Sequence, residues 1–323
     1  MNLSNTREKA RLSLETATYN GKALALMHSG IALGISLILT VFNMLLSRSI
    51  DSTAGLSGIS MRSALQSVQS FLSTASNMAL PFWQIGFVFA ALGFAQGRAT
   101  VPRDLLEGFR RFGKVLRTLL LQGLMYVAIG FACLNLANIL FFFTPFAAKL
   151  TALMEPVLSE NTTVEQLLSD GATMENLMQA MTPMYVIFAV VFLLVSTPLF
   201  YRLRMAEFAI MDDAPGALAA ITGSFRMMRG NCISLFKVDL KFWWFFLLKG
   251  LAAVVAYGDT LLFTAGVSLP INEDVLFFGF YGLYIVLELL ITWRFAAEVQ
   301  TTYAHCYGEL KANISRPAPT DSL

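Results

Sequence analysis

Apolar residues in this chain run on in long stretches, and the polar residues collect in the gaps between them. A hydrocarbon core about 30 Å thick and a helical rise of about 1.5 Å per residue set the length of a crossing at roughly 20 apolar residues. Six stretches reach it: Ala23 to Leu46, Asn77 to Gln96, Val115 to Pro145, Pro183 to Tyr201, Ile233 to Tyr257 and Val275 to Phe295. The third is longer than needed, which suits a tilted helix or one whose end emerges into water. The pattern predicts an all-α integral membrane bundle of six transmembrane helices joined by short amphipathic interfacial helices. It forms one polytopic domain over residues 1–311, followed by a flexible tail over 312–323.

Between the spans the period changes to that of a helix with one apolar face. Leu105, Phe109 and Phe112 share a face, with Arg103, Glu107, Arg110 and Lys114 on another, before Gly113-Lys114 leads into the third span. Asp212 and Asp213 precede Pro215, and Leu218, Ile221, Phe225 and Met228 form a stripe that stops at Gly230-Asn231. Acids at a helix start, proline in the first turn and glycine at the end are ordinary helix punctuation. A fainter copy sets Leu3, Ala10, Leu14 and Ala17 opposite Arg7 and Arg11, ending at Asn20-Gly21-Lys22. Each copy reads as an interfacial helix followed by an outward and an inward span, a unit met three times, as either a true internal repeat or the common habit of multi-span chains. Such helices suit the headgroup region, and Arg110, Arg111, Lys114, Arg226 and Arg229 are the candidate contacts to anionic lipid.

Composition agrees with a lipid solvent: 56% of residues are hydrophobic, 14% are charged and mean hydropathy is +0.63. The net charge of +2 conceals how the bases are placed. Arg7, Lys9, Arg11 and Lys22 precede the first span; Arg98, Arg103, Arg110, Arg111, Lys114 and Arg117 lie between the second and third. Arg202, Arg204, Arg226 and Arg229 lie between the fourth and fifth, and Arg294, Lys311 and Arg316 close the chain. These 17 face only Arg48, Arg62 and Lys149 in the other gaps. Bases near a span resist translocation, so the rule predicts both termini in the cytoplasm and the protein in the cell membrane. No secretory signal is expected, because about twenty polar residues precede a first span too long for a signal core.

The segments on the other side carry little chemistry. Residues 47–76 are serine-rich with a stripe at Met61, Leu65, Val68 and Leu72, which predicts a helix on the outer surface or against the bundle. Residues 147–182 are acidic, with a capping box at Thr162 and Glu165 and an amphipathic helix through Met174, Leu177, Met178 and Met181. Glu155, Glu160, Glu165, Asp170 and Glu175 recur every five residues, which turns each about 140° from the last, so they form no carboxylate face for a cation. Cys133, Cys232 and Cys306 have no ligand spacing and read as unpaired thiols; His28 and His305 lie far apart. The expectation is no cofactor, no metal, no nucleic acid and no enzymatic activity, because no nucleophile, base or phosphate loop assembles.

Charges inside spans are the remaining signal, since each costs at least about 2.5 kcal/mol near the bilayer centre. Glu288 lies 14 residues past Asp274, while Lys237 and Lys241 lie 5 and 9 residues past Cys232. Counted as helical rise these depths match, which predicts a buried pair of Glu288 with Lys241 or Lys237, Asp239 turned to the interface, and Lys249 snorkelling or meeting Asp259. A pair fixes neighbouring helices; a relay would carry protons or ions. Asn43, Asn135 and Asn138 suit hydrogen bonds between helices, Pro81 and Pro198 free carbonyls within them, and Trp243-Trp244-Phe245-Phe246 suits packing and lipid contact.

Three segments carry a resemblance: Arg7-Glu8-Lys9-Ala10-Arg11 with Tyr19-Asn20-Gly21-Lys22, Ser224-Phe225-Arg226-Met227-Met228-Arg229-Gly230-Asn231 with Leu235-Phe236, and Thr302-Tyr303-Ala304-His305-Cys306-Tyr307-Gly308-Glu309-Leu310. They resemble domain-of-unknown-function family 975, bacterial polytopic membrane proteins, over both ends and the third quarter of the chain. The family's Pro-Tyr pair before the terminal tyrosine segment is replaced by Val299-Gln300-Thr301-Thr302. The resemblance implies fold and location, and brings no site residue. The functional expectation is a membrane scaffold or accessory protein acting on lipid or partner proteins, or a homo-oligomer. The alternative is a small-solute or ion transporter with a polar path near Glu288 and Lys241.

Overall fold

The structure is a computed structural model that describes residues 5–52, 58–158, 171–212, 214–264, 266 and 272–315. The described residues are helical with short connections. In chain order the helices are α1 (Thr6–Glu15), α2 (Gly21–Ser52), α3 (Gly58–Ala95), α4 (Glu107–Arg110, after a 3₁₀ turn at Pro102–Leu106), α5 (Phe112–Phe142), α6 (Pro145–Leu158) and α7 (Gly171–Leu203). Then come α8 (Ala206–Met211), α9 (Ala217–Met228), α10 (Cys232–Lys241), α11 (Trp243–Ala256), α12 (Gly258–Thr264), α13 (Glu273–Ile291), a π turn (Thr292–Ala296) and α14 (Ala297–Ser315). The chain falls into two compact units, residues 1–118 with 205–323, and residues 119–204.

Five helical stretches among the described residues are long and apolar enough to cross a membrane: Gly21–Leu46, Ser63–Ala95, Phe112–Phe142, Asn176–Met211 and Asp274–Ile314. A sixth crossing is available if α11 and α12, bent by 62°, count as one span. Side chains agree with a lipid solvent. Ile31, Ile35, Ile38, Phe42 and Leu45 form one exposed stripe along α2, and Leu120, Leu124, Val127 and Phe131 form another along α5. Water does not tolerate such stripes on a monomer.

Several elements differ in extent from the sequence expectation. The stripe over Leu65, Val68 and Leu72 belongs to no separate helix, because α3 runs unbroken from Gly58 to Ala95, through Pro81. The helix expected around Met174 to Met181 is likewise the first part of α7. The third span stops at Phe142, and Pro145 opens α6, where its missing N–H costs nothing. The last helix persists to Ser315, past the expected start of the tail. Leu3, Glu160, Thr162, Glu165, Asp170, Asp213 and Arg316 lie outside the described residues.

The first unit is organised around the second half of α3, whose Phe82, Ile85, Val88, Ala91 and Leu92 are buried. Leu24 and Ala25 of α2, Phe87, Ala90 and Phe94 of α3, Leu105 and Ala297 form one continuous core cluster. Two glycines let α3 and α4 touch backbone to backbone: a Cβ at Gly86 would stand 1.8 Å from the Leu105 carbonyl oxygen, and one at Gly108 would stand 2.0 Å from that of Phe82. Gly97 ends α3 at φ +67°, a conformation that a side chain resists, so the Arg98 N–H folds back to the Gly93 carbonyl at 2.9 Å. In the second unit α6 packs on α7, and Lys149 donates to Gln179 Oε1 at 3.3 Å.

Candidate functional site

The two ends of the chain meet in a charged seam. Helix α1 lies along α14, and both Arg7 and Arg11 donate through Nε to Glu298 Oε1, at 2.6 and 3.0 Å. Lys9 Nζ meets Glu309 Oε1 at 2.7 Å, and Ser13 Oγ lies 2.9 Å from His305 Nε2. Beneath these contacts Thr6, Ala10, Thr302, Tyr303 and Cys306 are buried. The Glu298 side chain is only 9% exposed and is met by two cations, so its charge is compensated where water is scarce. The Arg7 guanidinium also covers the Phe242 ring at 4.9 Å.

Other polar helices join this seam. Tyr303 Oη donates to Asp239 Oδ1 of α10 at 2.5 Å, and Lys311 Nζ reaches Asp212 Oδ2 at 2.7 Å. Arg111 Nη1 donates to the Met211 carbonyl at 2.9 Å. The apolar stripe of α9, expected to lie on lipid, is largely turned inward: Ile221 and Met228 are buried, Phe225 is half-buried and Leu218 is exposed. Leu105 is likewise fully buried. The apolar faces of these helices pack against α3, α8 and α14 of the same chain.

Of the five basic residues expected on lipid, Arg111 is therefore a bridge within the protein, and it also approaches Glu107 Oε2 at 3.6 Å. Arg110 pairs with Glu107 while remaining exposed, and Lys114, Arg226 and Arg229 are exposed. Sequence reasoning missed Glu298, Glu309 and Asp212 as partners, because no local spacing links residues nearly 300 positions apart.

Within the apolar stretches, Glu288 is paired with Lys249, not with the expected Lys241 or Lys237. The reason is a helix break. α10 ends at Lys241 and α11 starts at Trp243, so Lys237 and Lys241 sit on a short exposed helix ahead of the apolar run. Lys249 lies 6 residues into α11, about 9 Å from its start, and Glu288 lies 14 residues past Asp274, about 21 Å along α13. Together those depths fill a core of about 30 Å, which is why these two groups are level.

The pair belongs to a line of polar groups between α2, α11 and α13. Ser29 donates to Thr292 Oγ1 at 3.4 Å, Ser36 Oγ and Tyr281 Oη are 3.0 Å apart, and Arg48 is paired with Asp274. On α2 the residues Ser29, Ser36 and Asn43 recur every seven positions, as do Asp274, Tyr281 and Glu288 on α13. A period of seven keeps one face toward the neighbouring helix. His28, stacked on Trp83 and Phe87 with ring centroids 5.6 and 4.7 Å away, is buried; its Nε2 and the Asn43 Oδ1 have no hydrogen-bond partner among the described residues.

The family described as "Protein of unknown function (DUF975)" matches residues 9–313, nearly the whole chain. The chain belongs to the DUF975 family. That match spans the seam, the polar line and every apolar stretch of this family member. No curated protein and no solved structure matches the chain.

Proposed function

We propose that this DUF975 protein is a non-enzymatic, six-span protein of the cell membrane with both termini in the cytoplasm, whose polar helices form a platform for anionic lipid and partner proteins. The observation that carries this reading is the seam of Arg7, Arg11 and Glu298. It ties the first polar helix to the last, and a tied platform presents a fixed surface. The basic asymmetry of 17 to 3 supports the orientation, and the bent α11–α12 pair supplies the crossing that makes the count even. In a cysteine-free background, a membrane-impermeant maleimide should label Thr151→Cys and Asn272→Cys in intact cells, but not Thr222→Cys. Labelling of Thr222→Cys from outside would reverse the topology.

The polar line of Ser36, Tyr281, Glu288 and Lys249 favours one second reading, a proton or ion path. Proteoliposomes carrying the purified protein and an enclosed pH- or ion-sensitive dye separate the two. Flat traces across a panel of cations and solutes keep the platform reading; a flux that Glu288→Gln abolishes replaces it.

A further inference from the structure

A cavity of about 420 Å³ opens where the end of α1, the start of α2 and the π turn meet, lined in part by Arg11, Lys22, Arg294, Glu15 and Glu298. Its acids do not use up its cations. Glu298 is already held by Arg7 and Arg11. Lys22 and Arg294 are both exposed, and among the described residues neither pairs with a carboxylate; each lies against an aromatic ring instead. Lys22 Nζ stands 5.6 Å from the Trp293 centroid, and Arg294 Cζ stands 5.1 Å from that of Phe295. The π turn adds a residue to one turn of a long helix, a local feature that often marks functional positions, and here it bears both Trp293 and Arg294. The first amides of α2 do not form the site, because Asn20 Oδ1 already accepts from Lys22 N and Ala23 N at 2.9 and 3.4 Å.

What continues from the cavity selects its ligand. The exposed apolar stripe of α2 begins at Met27, five residues beyond Lys22 and hence about 8 Å along the helix, and continues through Ile31 and Ile35. Trp293 is exposed beside it, at the level where amphipathic rings meet headgroups. A phosphate held by Lys22 and Arg294 would therefore place attached acyl chains along that stripe, which a soluble anion cannot use.

We propose that this cavity seats the headgroup phosphate of an anionic phospholipid, with its chains on Met27, Ile31 and Ile35. The proposal rests on the platform reading for its place at the inner headgroup level. The binding test runs on purified protein in detergent and does not depend on orientation, so its failure is distinct from a failed topology. Native mass spectrometry of the full chain titrated with phosphatidylglycerol, against phosphatidylcholine, reads occupancy directly. One phosphatidylglycerol should bind preferentially, and Lys22→Gln with Arg294→Gln should weaken it roughly tenfold or more, as expected for losing charge-assisted bonds. Lys114→Gln with Arg229→Gln, the same charge change elsewhere on the polar helices, should leave binding intact. Equal loss in both variants, or equal occupancy by phosphatidylcholine, overturns a discrete site. Displacement of the lipid by millimolar inorganic phosphate overturns the lipid in favour of a free anion. If the double variant does not fold, the single Lys22→Gln must show a loss that Lys22→Arg does not, and equal binding by these two also overturns it.

Discussion

Replacing Glu288 by glutamine removes a charge and almost no volume, so its consequence isolates the ion pair with Lys249. The Glu288 side chain is 11% exposed and that of Lys249 34%, and much of what surrounds them is apolar. Breaking a buried pair from one side costs about 3–5 kcal/mol, because the remaining charge loses its partner without regaining water. Lys249 retains the Phe245 ring, 5.6 Å away, and flexible methylenes that can carry the ammonium outward, so the lower end of that range applies. At about 2–4 °C per kcal/mol, Glu288→Gln should lower the melting temperature by roughly 6–12 °C. Differential scanning fluorimetry of the protein in one detergent measures this. The choice of partner is tested by second substitutions: Glu288→Leu with Lys249→Leu should recover most of the loss, and Glu288→Leu with Lys241→Leu should recover none. An unchanged melting temperature for Glu288→Gln, or rescue through Lys241, would refute the assigned pair.

Two further outcomes follow from close contacts in the first unit. Gly86→Ala sets a methyl group within 1.8 Å of the Leu105 carbonyl oxygen, so α3 and α4 must separate, at about 3 kcal/mol or more; fluorimetry should show a clear fall in melting temperature, and Gly123→Ala, with open space around it, should not. Glu298→Gln leaves Arg7 and Arg11 without their shared carboxylate, so limited trypsin digestion should cleave the N-terminal helix faster than in the wild type while the apolar helices stay intact; an unchanged cleavage rate would mean that apolar burial of Ala10 alone holds α1 in place.

The apolar stretches were legible in the sequence because membrane thickness translates into a run length, a local property. The family was legible for a related reason, since its motifs are short and contiguous. The break at Phe242 was hidden because Phe242 to Leu248 is apolar on both sides of the turn, although Lys237, Asp239 and Lys241 within ten residues were a usable sign that α10 does not belong to the span. Partner choice for Glu288 then failed by inheritance: the depth argument was sound, and its starting point was displaced by one helix. The contact at Gly86 and Gly108 had no sequence sign at all, because a glycine admitting a backbone is indistinguishable from one in a loose helix until the neighbour is placed.

The turned-in helices have the largest bearing on function. An amphipathic period says only that one face avoids water, and both lipid and protein satisfy it. For α9 the arbiter is its surroundings: Met205, Ile210 and Met211 supply a buried apolar bed, and α14 brings the polar partners. A helix lying loose on lipid would expose its stripe and change with membrane composition. One packed as α9 is keeps its shape and leaves its outward side, Arg226 and Arg229, for recognition. Anionic lipid is therefore met by the polar rims and the cavity at Lys22 and Arg294, and not by apolar faces already occupied by the protein itself.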